Sequence, residues 1–277
     1  MQVQNLDLEP FIENAFTFLA IHPAMNSLMM GLAESVKQGV GGPSEQMIVR
    51  QNEEIQICTF ATPPHNLILS HGELCAIPFL VKHLSQSPRN FKGVVGPKDL
   101  SHAFAHEWTS KTQDRISGVF EQMIFELIQV IPPRESEGES VAMKPEHLSL
   151  IESWYKAFVD EALPHEPITQ EQARLASERL LERRTLRYWM VDNEPKSMAV
   201  FSRRSQFGVS IGAVYTPPQE RGRGYASNLV AAMSQEALDS GKPALFLYTD
   251  LRNPVSNAIY QKIGYRPIGA SSHILFK

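Results

Sequence analysis

Residues 214–226 read Val-Tyr-Thr-Pro-Pro-Gln-Glu-Arg-Gly-Arg-Gly-Tyr-Ala. The β-rich run Gly208 to Thr216 ends there against Pro217 and Pro218. Gly222 and Gly224 then open a helically spaced apolar run through Leu229, Val230, Met233, Ala237 and Leu238, which stops at Gly241. A strand feeding a glycine turn and a helix N-terminus suits phosphate oxygens. Unpaired N–H groups converge, the helix dipole adds positive potential, and missing β-carbons permit close approach. Arg221 and Arg223 add charge. The spacing matches neither the GxxxxGK[ST] nucleoside-triphosphate loop nor the three-glycine dinucleotide turn. Taken alone, the two glycines also fit a tight turn with solvated arginines.

A second segment decides between these readings. Asp250 to Tyr265 reads Asp-Leu-Arg-Asn-Pro-Val-Ser-Asn-Ala-Ile-Tyr-Gln-Lys-Ile-Gly-Tyr. Asn253 is a good N-cap, Pro254 suits the first helical position, and Gly264 stops the helix. Ile259 and Ile263 share the face expected to pack on a sheet. Tyr260 falls on a neighbouring face with Ser256 and Asn257, its hydroxyl expected beside the end of the strand 244–250.

Outward from these segments the chain divides near its middle. Residues 131–140, Ile-Pro-Pro-Arg-Glu-Ser-Glu-Gly-Glu-Ser, show no apolar periodicity and read as an exposed connection between domains 1–130 and 141–277. The first part predicts helices over 7–20, 24–38, 72–86 and 97–112, with strands over 45–52, 54–62, 66–71, 91–95 and 115–131. The second predicts strands over 141–143, 187–192, 197–204, 208–216 and 244–250, helices over 147–163, 169–184, 225–240 and 254–263, and strand to Phe276. Mixed strands with helices between them imply a layered α/β sheet, and the repeated order implies a duplicated fold.

Composition narrows the function. The 277 residues are 43% hydrophobic and 20% charged with a net charge of −4, as in an ordinary globular chain. No basic stripe suggests nucleic acid, and no polybasic patch suggests a membrane. Asn14 to Ala33 lacks Asp, Glu, Lys and Arg, but His22, Pro23, Asn26 and Ser27 interrupt it, so two short helices are expected rather than a span. The N-terminus has no signal-peptide pattern, and Cys58 and Cys75 read as reduced core residues, so a cytoplasmic protein is expected. His102, His106 and Glu107 do not form HExxH, and no metal is expected.

The second half resembles the GNAT superfamily of acyl-CoA-dependent N-acyltransferases. The pyrophosphate motif of that family, Gln or Arg-x-x-Gly-x-Gly or Ala, is matched by Gln219 to Gly224. Its later Asn…Tyr helix with a following Gly-aromatic pair is matched by Asn253, Tyr260, Gly264 and Tyr265. The resemblance implies a GNAT fold, catalytic in 141–277, with 1–130 a diverged GNAT-like copy lacking a CoA site. It implies acetyl-CoA as co-substrate, with its pyrophosphate on the backbone of Arg221, Gly222, Arg223, Gly224, Tyr225 and Ala226. Val214, Tyr215 and Thr216 would pair with the pantetheine arm, and Asn253 would contact it. Tyr260 would protonate the departing thiolate without needing a large pKa shift, since free thiols titrate near about 8.5 and phenols near about 10. The strand before the turn lacks the carboxylate often found in the family. Asp250 is the first candidate for the base, followed by His165 and Glu166. Acetyl would then pass directly from acetyl-CoA to a primary amine, on a small molecule or a protein lysine, in a ternary complex. The alternative is a non-catalytic acyl-CoA sensor on the same fold.

Overall fold

Period-two alternation in the strands, with helical spacing between them, places apolar side chains on both faces of one sheet. Met198 and Val200 point to one face, Ala199 and Phe201 to the other. The computed structural model describes residues 1–88 and 90–277. Its first half runs β1 (Gln2–Leu6), α1 (Leu8–Leu19), α2 (Ser27–Lys37), β2 (Glu45–Gln51), β3 (Glu54–Ala61), β4 (Leu67–Leu69), α3 (Ile77–Leu84), β5 (Gly93–Pro97), α4 (Lys98–Lys111) and β6 (Ile116–Leu127). The second half repeats that order. It runs β7 (Glu139–Ala142), α5 (Leu148–Ala162), α6 (Gln170–Glu182), β8 (Leu186–Val191), β9 (Glu194–Ser205), β10 (Gly208–Tyr215), α7 (Tyr225–Asp239), β11 (Leu245–Asp250), α8 (Pro254–Lys262) and β12 (Arg266–Phe276). The strand β1, which the sequence reading omits, completes the correspondence.

All twelve strands form one sheet in the order β1-β2-β3-β4-β5-β12-β6-β11-β10-β9-β8-β7. Its centre is an exchange. The last strand of the first half, β6, pairs with β11, and the last strand of the second half, β12, pairs with β5. The two exchanged strands pair with each other from Arg266↔Glu126 to Phe276↔Ile116. Each thereby covers an edge that would otherwise expose unpaired backbone. The sheet is consequently not divided at residues 131–140, and residues 141–277 alone lack β6, the antiparallel neighbour of β11.

On one face α3 and α4 pack under the first half, with α7 and α8 under the second. The opposite face carries α1 and α2, then α5 and α6. Helix α2 crosses onto the second half, where Gly31 lies against Arg203 of β9. No helix among the described residues is long and apolar enough to cross a membrane. The break in the uncharged N-terminal stretch falls between Leu19 and Ser27, around His22 and Pro23 as expected. Cys58 is buried, but Cys75 is exposed. Its place in a short 3-10 turn before α3 overrides the apolar context that suggested a core position.

Candidate active site

Strands β10 and β11 are parallel and pair only at Val209↔Leu245 and Ser210↔Phe246. Beyond Ser210 they part, so among the described residues the edge of β10 facing β11 has no strand partner from Ile211 to Tyr215. On its other edge β10 shifts register against β9 between Gly212 and Tyr215, and Ala213 adopts φ 48°. Such a bulge bends a strand away from its neighbour. Val214, Tyr215 and Thr216 line this opening. The Tyr215 carbonyl accepts from Ser197 Oγ at 3.0 Å, and its ring lies 6.2 Å from that of Trp154. The Trp154–Tyr155–Phe158 group therefore packs behind β10.

At the mouth of the opening, Gln219 ends in a 3-10 turn and the chain enters α7 through Gly222 and Gly224, at φ 79° and 85°. No side chain caps α7, and Asn228 N–H to Gly224 C=O, 3.0 Å, is its first helical bond. The preceding N–H groups, those of Tyr225 and Ala226 included, are thus helix-terminal donors. A β-carbon on Gly222 would meet nothing within 4 Å, so the turn is open to a ligand there. Arg221 braces the turn from behind. Its Nε donates to Thr216 C=O at 2.8 Å, and Nη2 pairs with Glu161 of α5 at 2.7 Å. Arg223 is exposed, 3.2 Å from Glu220. Sequence reasoning missed the part taken by residues 131–140. Asn228 Nδ2 donates to Arg134 C=O at 3.0 Å, and Trp189 Nε1 to Glu137 C=O at 2.8 Å. Ser136 lies against Gly224, its hydroxyl sealed and without a partner among the described residues. The connection is docked along the turn rather than free, a placement its polar composition did not reveal.

The segment after β11 folds as its caps direct. Asn253 Oδ1 accepts from Ser256 N–H at 3.1 Å and starts α8. Tyr260 lies on the buried face of α8, with Ile263, and not beside that face as its spacing suggested. Its ring sits 6.4 Å from Phe125 and 5.9 Å from Tyr265. Whereas Tyr265 Oη bonds Ser234 Oγ at 3.0 Å, the Tyr260 hydroxyl makes no hydrogen bond among the described residues. Burial pushes its pKa up to about 12, so the near-ordinary value expected from sequence is corrected. The phenol keeps its proton at neutral pH.

The three carboxylate and imidazole candidates stand near one another. Asp250 is engaged by Arg252, with Nη2 at 2.7 Å, and this hydrogen bond holds its carboxyl below the usual range. His165 stacks on Phe120 at 3.5 Å, and burial lowers its pKa against the pull of Glu166 and Asp250. Its Nδ1 is sealed and has no hydrogen-bond partner among the described residues. Glu166 Oε1 lies 3.6 Å from His273 Nε2, and ligand atoms of His165, Glu166 and His273 all fall within 4.8 Å of one another. His102, by contrast, pairs with Glu121 at 2.9 Å.

Residues 188–274, from β8 through β12, match the family model described as FR47-like protein. No curated protein matches the chain in sequence. In structure it resembles a Drosophila protein at 14% identity and a TM-score of 0.70, over 99% of this chain and 98% of the other. A GNAT-family acetyltransferase from Colwellia psychrerythraea is similar at 10% identity and a TM-score of 0.58, over 100% of both chains. A tandem GNAT protein from the clavulanic acid biosynthesis pathway is similar at 11% identity and 0.52, over 100% of this chain and 98% of the other. The chain has the GNAT acetyltransferase fold in tandem form, with an FR47-like sequence in its C-terminal region.

Proposed function

We propose that the chain is an N-acetyltransferase that moves acetyl from acetyl-CoA to a primary amine by direct attack in a ternary complex. The observation that carries this reading is the parting of β10 from β11 beside the open, uncapped N-terminus of α7. The pyrophosphate would lie on the N–H groups from Gly222 to Ala226, with anionic oxygens at the positive helix end. The pantetheine amides would pair with the free edge of β10 at Val214 to Thr216, and Asn253 would flank the arm. Arg221 serves to hold the turn in shape, and the exposed Arg223, paired with Glu220, would turn outward to phosphate.

The amine nitrogen attacks the thioester carbonyl carbon; the C–N bond forms, the C–S bond breaks, and acetyl leaves sulfur. The departing thiolate takes a hydrogen bond, then the proton, from Tyr260. A phenol near 12 transfers that proton most readily where the thiolate is desolvated too, as it would be here. The attacking nitrogen loses its proton to the Asp250–His165–Glu166 group. Within it, burial holds His165 neutral, while Asp250 is committed to Arg252. Thiol release from acetyl-CoA with pooled amines, followed by mass spectrometry of the acetylated product, tests the proposal. CoA binding without turnover on any amine would instead favour a sensor.

A further inference from the structure

Three side chains of metal-ligand type converge from distant parts of the chain. His165 and Glu166 lie on the connection between α5 and α6, and His273 lies on β12. As part of the strand exchange, β12 sets His273 opposite Phe120 of β6. The Phe120 ring packs against both imidazoles, stacked on His165 at 3.5 Å and 5.9 Å from His273. The two imidazoles stand 5.3 Å apart, near edge to face. A ligand nitrogen from each and a Glu166 carboxylate oxygen all lie within 4.8 Å of one another.

The donor set names the ion. Two imidazoles with one carboxylate suit zinc, whereas magnesium and calcium call for oxygen ligands. Ligands about 2.0–2.2 Å from one zinc stand about 3.3–3.6 Å apart in a tetrahedron. His273 Nε2 and Glu166 Oε1 are 3.6 Å apart. The wider separations close by turning His165 and the exposed Glu166, which sit on a connection and not on a strand. Burial lowers the His273 pKa as it does that of His165, so both rings keep a lone pair for a metal at neutral pH. The charged groups acting on these rings are the Glu166 and Asp250 carboxylates and the Arg252 guanidinium, a balance that favours a cation. Asn66 Nδ2 also lies 2.6 Å from His273 Nε2, while Asn66 Oδ1 is sealed without a hydrogen-bond partner among the described residues. Half a turn of that amide withdraws the donor and offers the unpartnered oxygen to the ion.

We propose that His165, Glu166 and His273 bind one zinc ion. Three protein ligands leave a fourth position, which the Asn66 oxygen fills. A neutral imidazole has one lone pair, so an ion that takes it from His165 stops that ring from accepting the proton of the amine. The binding stands on these side chains alone. Its effect on turnover rests on the acetyl-transfer reading, in which the zinc-loaded chain is the inactive one.

Zinc chloride titrated into the chelator-stripped full chain, in competition with a chromophoric chelator, should fill one saturable site per chain. Excess magnesium should not displace it. Glu166→Gln and His273→Gln should each weaken the site by about 100-fold or more, and Asn66→Ala by about 10-fold. Because Glu166 is exposed, its variant reads the site even if a change at buried His273 costs folding. His102→Gln, in the surface pair with Glu121, should leave the affinity unchanged. Zinc should also slow formation of acetylated product from pooled amines, followed by mass spectrometry. The zinc concentration that halves each protein's own rate should rise in step with its lost affinity. No saturable site, or one that survives in both Glu166→Gln and His273→Gln, overturns the assignment. So does a site lost in His102→Gln instead. Zinc bound at these ligands with turnover untouched would keep the ion site and remove His165 as the base. Zinc bound there by a chain that acetylates no amine would keep the ion site and sink acetyl transfer.

Discussion

The turns after β4 and β10 occupy equivalent places in the two halves, yet they leave different atoms free. After β4, Ser70 N–H donates to Cys58 C=O and Glu73 N–H to Gln56 C=O, so the backbone stays bound to β3. A β-carbon on Gly72 would stand 2.1 Å from Gln56 O, so this glycine serves close packing of backbone on backbone. Ala76 N–H is spent on Glu73 C=O, and Pro78 removes another donor at the start of α3. The α1–α2 loop then closes on the strand end. Asn26 accepts from His71 N–H at 2.9 Å and reaches its Nδ1 at 2.7 Å, while Phe18 stacks on the ring at 4.2 Å. After β10, Gly222 at positive φ faces open space, Gly224 meets only ordinary contacts with Asn228 and Ser136, and no side chain caps the helix N-terminus among the described residues. The comparison teaches that element order carries the fold, whereas free N–H groups carry the site.

The largest effect should come from closing the one open turn. Gly224→Val puts a β-branched residue at φ 85°, a conformation such residues rarely adopt, and should weaken CoA binding by about 100-fold or more. Calorimetry on the folded variant checks this, and wild-type affinity would remove the site from this turn. The matching change Gly72→Ala should act on folding instead, since its new carbon meets backbone.

A smaller effect is expected at Tyr260. Tyr260→Phe keeps the ring among Phe125 and Tyr265 and deletes a hydroxyl that has no partner among the described residues. Turnover should fall by about 100-fold with CoA affinity nearly unchanged. An unaltered kcat, measured with chemistry rate-limiting, would exclude the residue as the acid. The equivalent helix α4 has no tyrosine, and its buried Trp108 is bonded through Nε1 to Asp114 at 2.8 Å.

The smallest effect concerns the closed half. Burial lowers the His71 pKa to about 4, helped by the neighbouring His22, so the folded chain holds the ring neutral where the unfolded chain would protonate it. Unfolded molecules therefore bind more protons between roughly pH 6.5 and 4, and stability should fall with pH across that window and level off below it. Urea midpoints at pH 7 and pH 4.5 should differ less for His71→Gln than for the wild type. An unchanged difference would show that His71 is not held neutral by the loop.

Much of this contrast was legible in the residues. The proline stop, Gly222, Gly224 and the terminal Gly241 specify the open turn through local geometry, and Asn253 with Pro254 specifies the start of α8. The closed turn was legible in part, because Ser70-His-Gly-Glu-Leu-Cys75 offers one glycine and an acid. What stayed hidden depends on distant pairing. Both β6 and β12 read as strands, but their periodicity does not tell which half receives them. The buried face of Tyr260 follows from Phe125, a residue of an exchanged strand. Arg203 on an alternating strand gives no sign that α2 will lie across its stem. The docking of residues 131–140 depends on acceptors in their backbone, which composition does not display.

The number of CoA molecules bound per chain tests the central claim most directly. Titration of the intact protein by calorimetry should give one saturable site per chain, lost in Gly224→Val and retained when His71 is changed to Gln. Two saturable sites, or a site that survives in Gly224→Val, would contradict the assignment of CoA to the second half alone.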